Sequence, residues 1–88
     1  KDYTKAIQWY KKAANAKYAP AQYEFGQMYE NGSGVDKNLK TAAQWYEKSA
    51  KLKYAPAQYR FGFMYLNGLG VKQDYKKAKN WISKAWEN

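Results

Sequence analysis

The side chains that most often carry enzyme chemistry are scarce in this sequence. It contains no His and no Cys, which excludes the commonest acid–base group, thiol nucleophiles, disulfides and Cys-ligated metals. Ser33, Ser49 and Ser83 therefore have no His to activate them. Glu24 and Glu30 lie six positions apart on a predicted helix, which is a poor spacing for an acid–base pair. We predict no catalytic residue and no metal site, and hence a protein that is not an enzyme.

The charge balance is strongly basic. The formal net charge is +9, almost all of it from Lys, and Arg60 is the only Arg. A positive excess is typical of proteins that bind nucleic acid or an anionic membrane surface. The shortage of Arg disfavours nucleic-acid recognition, because Arg makes the bidentate contacts to phosphates and bases.

No apolar run approaches the roughly 20 residues of a membrane span, so we predict a soluble chain without a transmembrane segment.

A repeated hexapeptide organises the chain. Tyr18–Tyr23 returns unchanged as Tyr54–Tyr59, 36 residues later, and 26 of the 52 residue pairs at this offset are identical. Identity this high at one fixed offset is typical of a repeat protein. The chain begins within a repeat, so it could be a processed form or a fragment of a longer array. We predict one repeat domain over residues 1–88, consisting of a half repeat and two repeats: residues 1–18, 19–54 and 55–88.

Helical spacing of apolar residues runs through every segment. Tyr3, Ala6 and Tyr10, for example, recur at i, i+3 and i+7, which is one face of a helix. Short connections favour antiparallel neighbours, so the pattern predicts an all-α solenoid of antiparallel helix pairs with about five helices and no strand. We call the first helix of each repeat A and the second B. The predicted helices cover residues 2–16, 20–30, 39–52, 56–66 and 75–87.

The predicted helix starts carry residue types suited to them. Asp2, Asn38 and Asp74 precede B helices and are good N-cap residues. Pro20 and Pro56 suit the first turn of the A helices.

Glycines mark two kinds of position. Gly26 and Gly62 lie inside the A helices, where Gly costs about 0.5–1 kcal/mol relative to Ala, and we expect a partner helix to approach closely there. The Gly-x-Gly segments at residues 32–34 and 68–70 lack the preceding strand and the Gly-Lys-Ser/Thr ending of a phosphate-binding loop. We interpret them as turns that need positive φ, with the following Val35 and Val71 packing onto the core.

The repeated residues resemble the signature of the Sel-one-like repeat (SLR) family, a relative of the tetratricopeptide repeats. The family pattern is Ala-x-x-x-Leu-Gly-x-x-Tyr, then x-Gly-x-Gly-Val-x-x-Asp, then Ala-x-x-Trp/Tyr-Tyr-x-x-Ala-Ala-x-x-Gly, with Phe25 and Phe61 in place of the Leu here. The resemblance covers essentially the whole chain. It implies a right-handed α/α superhelix, common in bacteria, that scaffolds protein–protein interactions and uses no cofactor. The first copy matches with Ala21, Phe25, Gly26, Tyr29, Gly32, Gly34, Val35, Asn38, Ala42, Trp45, Tyr46, Ser49 and Ala50.

The chain departs from the family pattern at several positions. Lys17 and Lys53 stand where the family usually has Gly, and a left-handed backbone there would cost a non-Gly residue roughly 1–2 kcal/mol. Either the turn differs or that cost is carried.

Some cysteine-rich relatives have been associated with binding or hydrolysing β-lactams, but their disulfides are absent here, which leaves this function as a remote alternative. For a bacterial source, we favour an exported location slightly over the cytoplasm.

In solenoids that this chain resembles, the outer side of the A helices lines a concave groove. Between the two copies Gln27 is replaced by Phe63, and Glu30 is replaced by Leu66. The second copy thus presents an apolar stripe that begins at Tyr59, and we predict that a partner protein or peptide binds there. The alternative is that these side chains cover a neighbouring helix or a further repeat. The predicted partner-binding residues are Tyr23, Gln27, Glu30, Asn31, Tyr59, Phe63, Leu66 and Asn67.

Lysines recur on the outward side of the B helices. Lys12, Lys48 and Lys84 share one repeat position, and Lys40 and Lys76 share another. They form either a solvated surface or an aligned basic row for an acidic partner, an anionic membrane or nucleic acid.

The last helix carries a large apolar face. Trp81, Ile82, Ala85 and Trp86 contribute to it, and no repeat follows them in the sequence. Because solenoid ends need polar caps, we predict self-association through this helix or an origin in a longer repeat array.

Overall fold

The computed structural model describes residues 3–87 and shows five helices in that range and no strand, as predicted. Every helix has 13 residues, and each end lies within one residue of its predicted position. The helices are α1 (Tyr3–Asn15), α2 (Ala19–Asn31), α3 (Leu39–Lys51), α4 (Ala55–Asn67) and α5 (Tyr75–Glu87). The A helices are therefore α2 and α4, and the B helices are α1, α3 and α5.

The helices form a row in chain order. Each one packs mainly against the helix before it and the helix after it, and short turns make these neighbours antiparallel. Apolar burial is concentrated where an A helix lies between two B helices. Tyr46, Phe61 and Met64 lie at the centre of the larger core, and Phe25 and Met28 lie at the centre of the smaller one. This nearest-neighbour packing is the architecture of a solenoid.

Side-chain caps begin the B helices. The Asn38 Oδ1 accepts a hydrogen bond from the Thr41 backbone N–H at 3.0 Å, and the Asp74 Oδ1 accepts one from the Lys77 backbone N–H at 3.0 Å. Both predicted caps are confirmed; the predicted cap at Asp2 lies outside the described residues. The Asn38 and Asp74 side chains each accept from a backbone N–H that the helix itself leaves unpaired.

Glycines in a left-handed conformation end the A helices. Gly32 and Gly68 have φ values of 69° and 65°, and their N–H groups donate to the carbonyls of Met28 and Met64. Val35 and Val71 then pack against the core. The turn interpretation of the Gly-x-Gly segments is confirmed.

Two lysines end the first and second B helices in the same left-handed conformation. The φ values of Lys17 and Lys53 are 64° and 65°. The turn therefore has the geometry that Gly favours, and these residues carry the steric cost of a side chain there.

The glycines inside the A helices allow close helix contacts, as predicted. A Cβ atom on Gly26 would lie 2.8 Å from the Tyr46 Cε1 atom, and one on Gly62 would lie 2.7 Å from the Ile82 Cγ1 atom. The Ala78 backbone carbonyl oxygen would lie only 3.0 Å from the second Cβ. Each A helix thus contacts its following B helix along a surface that has no room for a methyl group.

Buried carboxamides join each B helix to the next A helix. The Gln22 Nε2 donates to the Ala14 carbonyl at 3.1 Å, and the Gln58 Nε2 donates to the Ala50 carbonyl at 3.2 Å. Each bond closes the turn that separates two repeats, so the repeat spacing is fixed by side-chain contacts as well as by the chain.

The Gly62 contact gives a direct prediction. Gly62→Ala should lower the free energy of unfolding by about 1–3 kcal/mol because overpacking against the α5 backbone exceeds the helix-propensity gain. Urea denaturation followed by circular dichroism measures this change. Ser83→Ala, on the exposed side of α5, is the control and should change stability by less than about 0.5 kcal/mol. A stabilised Gly62→Ala variant would contradict the close approach.

The left-handed lysines give a second prediction. Lys53→Gly should be more stable than Lys53→Ala by about 1 kcal/mol, because only Gly removes the steric cost of the left-handed backbone. Since both variants lose the same lysine side chain, their difference isolates the backbone contribution. Thermal and urea unfolding of the two variants measure it, and equal stabilities would contradict a left-handed conformation at this position.

Candidate interaction surface

A partly buried ion pair joins the two A helices. The Arg60 Nη2 lies 2.6 Å from the Glu30 Oε2, and the Arg60 Nε donates to the Glu30 Oε1 at 3.1 Å. The Tyr46 hydroxyl donates to the same Oε1 at 2.7 Å. The Glu30 side chain is only 11% exposed. Glu30 was predicted to contact a partner, but its carboxylate is already engaged by groups from α3 and α4.

This network shifts the pKa of two groups. Burial, followed by the hydrogen bond to Glu30, raises the pKa of the fully buried Tyr46 well above its ordinary value. The hydrogen bond to Glu30 likewise raises the pKa of Arg60. The arrangement therefore requires a neutral phenol and a charged guanidinium.

Tyr23 is an anchored member of the outer surface. Its ring contacts the Tyr46 ring at a centroid distance of 5.7 Å and the Tyr54 ring at 5.6 Å. The Gln27 Nε2 donates to the Tyr23 hydroxyl at 3.0 Å. Burial raises the pKa of Tyr23. Tyr23, one of the predicted partner-binding residues, is thus held between helices by these contacts, and the half-buried Gln27 supports it.

Tyr59, the repeat equivalent of Tyr23, is more exposed to solvent. It is 50% exposed, and the residue at the repeat position of Tyr46 is Ile82, which offers no ring to stack against. Two identical residues of the repeated hexapeptide therefore occupy different environments.

An aromatic groove of about 380 Å³ lies between the two A helices and the end of α5. Trp86, which is 83% exposed, reaches this groove from the last turn of α5. We call this surface the aromatic groove; its lining residues are Tyr23, Ala55, Pro56, Tyr59, Ala85 and Trp86. The sequence placed Trp86 on an end face, and the structure brings it to the same groove as the two tyrosines.

The rest of the predicted stripe continues along α4. Phe63 is half-buried, with the Arg60 guanidinium carbon 5.0 Å from its ring centroid. Leu66 is 39% exposed, and Asn67 and Asn31 lie exposed at the ends of the A helices. Sequence reasoning missed the role of Arg60. The available signal was that the acid at residue 30 and the base at residue 60 each occur in only one repeat copy.

Two residues of the predicted self-association face pack inward. The Trp81 ring contacts the Phe61 ring at a centroid distance of 5.4 Å, and Ile82 lies against Gly62. Of the predicted set Trp81, Ile82 and Trp86, only Trp86 is largely exposed.

The lysines of the predicted basic row are all exposed. The Lys48 ammonium lies 4.4 Å from the Trp45 ring centroid, and the Lys84 ammonium lies 4.8 Å from the Trp81 ring centroid. These cation–π contacts let the lysines cover apolar surface while their charge stays in water. The exposed set is Lys12, Lys40, Lys48, Lys76 and Lys84.

Several polar side chains of the described residues have structural roles. Ser49 is fully buried and donates to the Ala19 carbonyl at 2.8 Å, which is a helix-joining role. Asp74 is a helix cap, and Glu47 pairs with Lys51 at 3.5 Å. Within residues 3–87, no three acidic side chains converge to form a metal site. None of the helices in that range is both long and apolar enough to cross a membrane.

Comparison with known proteins identifies the family. The Sel1 repeat pattern matches residues 1–18, 19–54 and 55–88, which together make up the whole chain. This chain belongs to the Sel1 repeat family. Members of the family commonly mediate protein–protein interactions and are generally not enzymes.

Solved Sel1 repeat structures have the same fold. A Sel1 repeat protein from Oxalobacter formigenes is 40% identical with a TM-score of 0.91, covering 93% of this chain and 34% of that one. The protective antigen c5321 of uropathogenic Escherichia coli is 38% identical with a TM-score of 0.94, and the match covers 98% of this chain and 18% of that one. Helicobacter pylori cysteine-rich protein B is 30% identical with a TM-score of 0.95, and the match covers 99% of this chain and 65% of that one.

A curated relative has a similar segment. The chitin synthase regulator SKT5 of Saccharomyces cerevisiae is 48% identical over 42 residues, which are 48% of this chain and 6% of that protein. The chain therefore spans a small part of this relative and less than two thirds of each of the three solved structures.

The buried network predicts an alkaline dependence of stability. Because the pKa of Tyr46 is higher in the folded state than its ordinary value of 10.0, its contribution to stability is complete below about pH 10 and declines as the pH rises above it. Tyr46→Phe should lower the free energy of unfolding by about 1–3 kcal/mol at neutral pH, since a hydrogen bond to a carboxylate is removed. As the pH is raised further, the free energy of unfolding of this variant should fall by less than that of the unmodified chain.

Urea denaturation at about pH 8 and about pH 11 measures both effects. Tyr59→Phe, at an exposed tyrosine, is the control and should follow the unmodified chain. If Tyr46→Phe and Tyr59→Phe have the same alkaline profile, the buried phenol does not control it.

Proposed function

We propose that this chain is a non-catalytic scaffold that binds an extended apolar segment of a partner protein or peptide in the aromatic groove. The observation that carries this proposal is that Trp86 and Tyr59 line one groove while remaining 83% and 50% exposed. Large aromatic side chains supply much of the energy of protein interfaces when a partner buries them. The tendency of the family to mediate protein–protein interactions supports the same function.

Contacts within the chain hold the wall of the groove in place. Tyr23 is held by two ring contacts and by the hydrogen bond from Gln27. Beneath it, the Glu30–Arg60 pair fixes α2 against α4. A surface that is rigid before binding loses little conformational entropy when a partner arrives, and this favours affinity. In this proposal Gln27 and Glu30 position the binding surface rather than bind the partner themselves.

The binding surface continues from the groove along α4. Phe63 and Leu66 follow Tyr59 at i+4 and i+7, so they extend the apolar surface along one side of the helix. Asn31 and Asn67, at the exposed helix ends, provide a polar rim that can bond to the partner backbone. An extended segment that places apolar side chains in the groove and along α4 matches this arrangement.

A basic adaptor is the second candidate function. The five lysines of the B helices are exposed on a chain with a net charge of +9, which suits nucleic acid or an anionic membrane. Such binding weakens steeply with salt, whereas apolar contacts in the aromatic groove do not. Salt dependence therefore separates the two candidates.

The double variant Tyr59→Ala/Trp86→Ala tests the proposed function. It removes both exposed rings from the groove. We therefore predict that its affinity for the partners captured by the unmodified chain falls about tenfold or more. The measurement is affinity capture with quantitative mass spectrometry at low and high salt, followed by binding constants for the captured protein.

The matched control is Trp9→Ala/Tyr75→Ala, which removes two aromatic rings that are 57% and 67% exposed elsewhere. It should retain the partners. Equal loss in both variants, or capture that depends on salt but not on the groove residues, would contradict the proposal. Circular dichroism establishes that each variant is folded.

A further inference from the structure

A second concave region lies where α1 and α3 end and α2 begins. It has a volume of about 430 Å³ and has no residue in common with the aromatic groove. Ala14, Trp45 and Leu52 provide its apolar surface, and Lys17, Lys48 and Lys51 provide its charges. We call it the lysine pocket; the two polar residues Asn15 and Gln22 complete its lining.

No acidic side chain lines the lysine pocket. Lys51 lies 3.5 Å from the Glu47 carboxylate, but both side chains are largely solvated, and such surface pairs are weak. Lys48 stacks over the Trp45 ring and so holds its charge beside the apolar surface. The pocket therefore combines a positive potential with a place for an apolar group.

Gln22 also lines this pocket, and its side-chain amide is buried. The residue is 3% exposed, and its Nε2 donates to the Ala14 carbonyl at 3.1 Å. Its Oε1 is buried and has no hydrogen-bond partner among the described residues. Because this oxygen is buried, the contacts open to a ligand are those of the lysines and the apolar side chains.

The equivalent pocket in the next repeat is less suited to an anion. It is lined by Gln58, Trp81 and Lys84, as expected from the repeat, but also by Glu87. Glu87 stands 36 positions after Lys51, so a carboxylate replaces an ammonium group. The two pockets thus provide an internal comparison in which only the first is free of negative charge.

We propose that the lysine pocket binds an acidic segment of a partner protein. The carboxylates of that segment pair with the lysines, and an apolar side chain packs against Trp45 and Leu52. An acidic peptide supplies both groups. A nucleic-acid phosphodiester supplies the negative charge but no aliphatic side chain, and the lysines lack the fork geometry that favours phosphates. This site is separate from the aromatic groove and does not depend on the function proposed for it.

The test uses ¹⁵N-labelled protein and a probe peptide, acetyl-Asp-Glu-Leu-Asp-Glu-amide. We expect the peptide to shift the amide resonances of residues 14–17, 22 and 45–52 at about 1 mM, the concentration range of weak single-motif contacts. Lys17→Gln/Lys48→Gln should weaken binding by about tenfold, because two charge-assisted contacts are lost. Replacing the peptide Leu with Ser should also weaken binding, because the apolar contact is lost.

The matched control is Lys37→Gln/Lys79→Gln, which removes the same charge from exposed positions outside the lysine pocket and should bind within about twofold of the unmodified chain. Equal weakening in both double variants would overturn the proposal, because general charge would then explain the binding. Shifts spread over all exposed lysines, no shifts in the pocket, or equally strong binding of oligothymidylate there would overturn it as well.

Discussion

The structure depends on the close approach of each A helix to the B helix that follows it. Gly26 and Gly62 allow this approach, since a methyl group at either position would collide with Tyr46 or Ile82. At this separation the Phe25 ring lies against the Trp45 ring at a centroid distance of 5.0 Å, and the same contact recurs between α4 and α5 at 5.4 Å. The same packing places Tyr46 of α3 where its hydroxyl bonds Glu30 of α2, and Glu30 in turn bonds Arg60 of α4. The two A helices are thereby joined through one carboxylate.

Most of the fold could be predicted because its signals are local and occur twice. Asn38 and Asp74 occupy the same repeat position, and both act as caps. The Gly-x-Gly turns and the glycines inside the A helices likewise gain weight from their repetition. The left-handed conformation of Lys17 and Lys53 remained open, because lysine itself gives no signal for positive φ. The family resemblance showed that Gly is usual at these two positions, but only the φ values of the structure show that the lysines adopt the left-handed conformation.

The candidate surfaces were harder to predict because their decisive residues differ between repeats. Glu30 lies on the predicted outward side of α2, but the side chain that neutralises it comes from α4, 30 residues later. Trp86 occupies the position of the buried Ala14 and Ala50. Its contribution to the aromatic groove depends on the direction in which α5 ends relative to α4. Helical periodicity assigns a residue to one side of its own helix but does not tell which side chains of other helices will meet it.

The two proposed sites divide the surface of a small repeat domain between different chemistries. The aromatic groove offers rings with few charges, and the lysine pocket offers charges with one ring, so that one chain can hold two unlike segments. The central claim concerns the groove, and ¹⁹F NMR of protein labelled with 5-fluorotryptophan tests it most directly. When a captured partner is added, the Trp86 resonance should shift, while that of Trp9, which is also exposed (57%) but lies outside the groove, should stay in place. A partner that shifts Trp9 and leaves Trp86 unchanged would contradict the account.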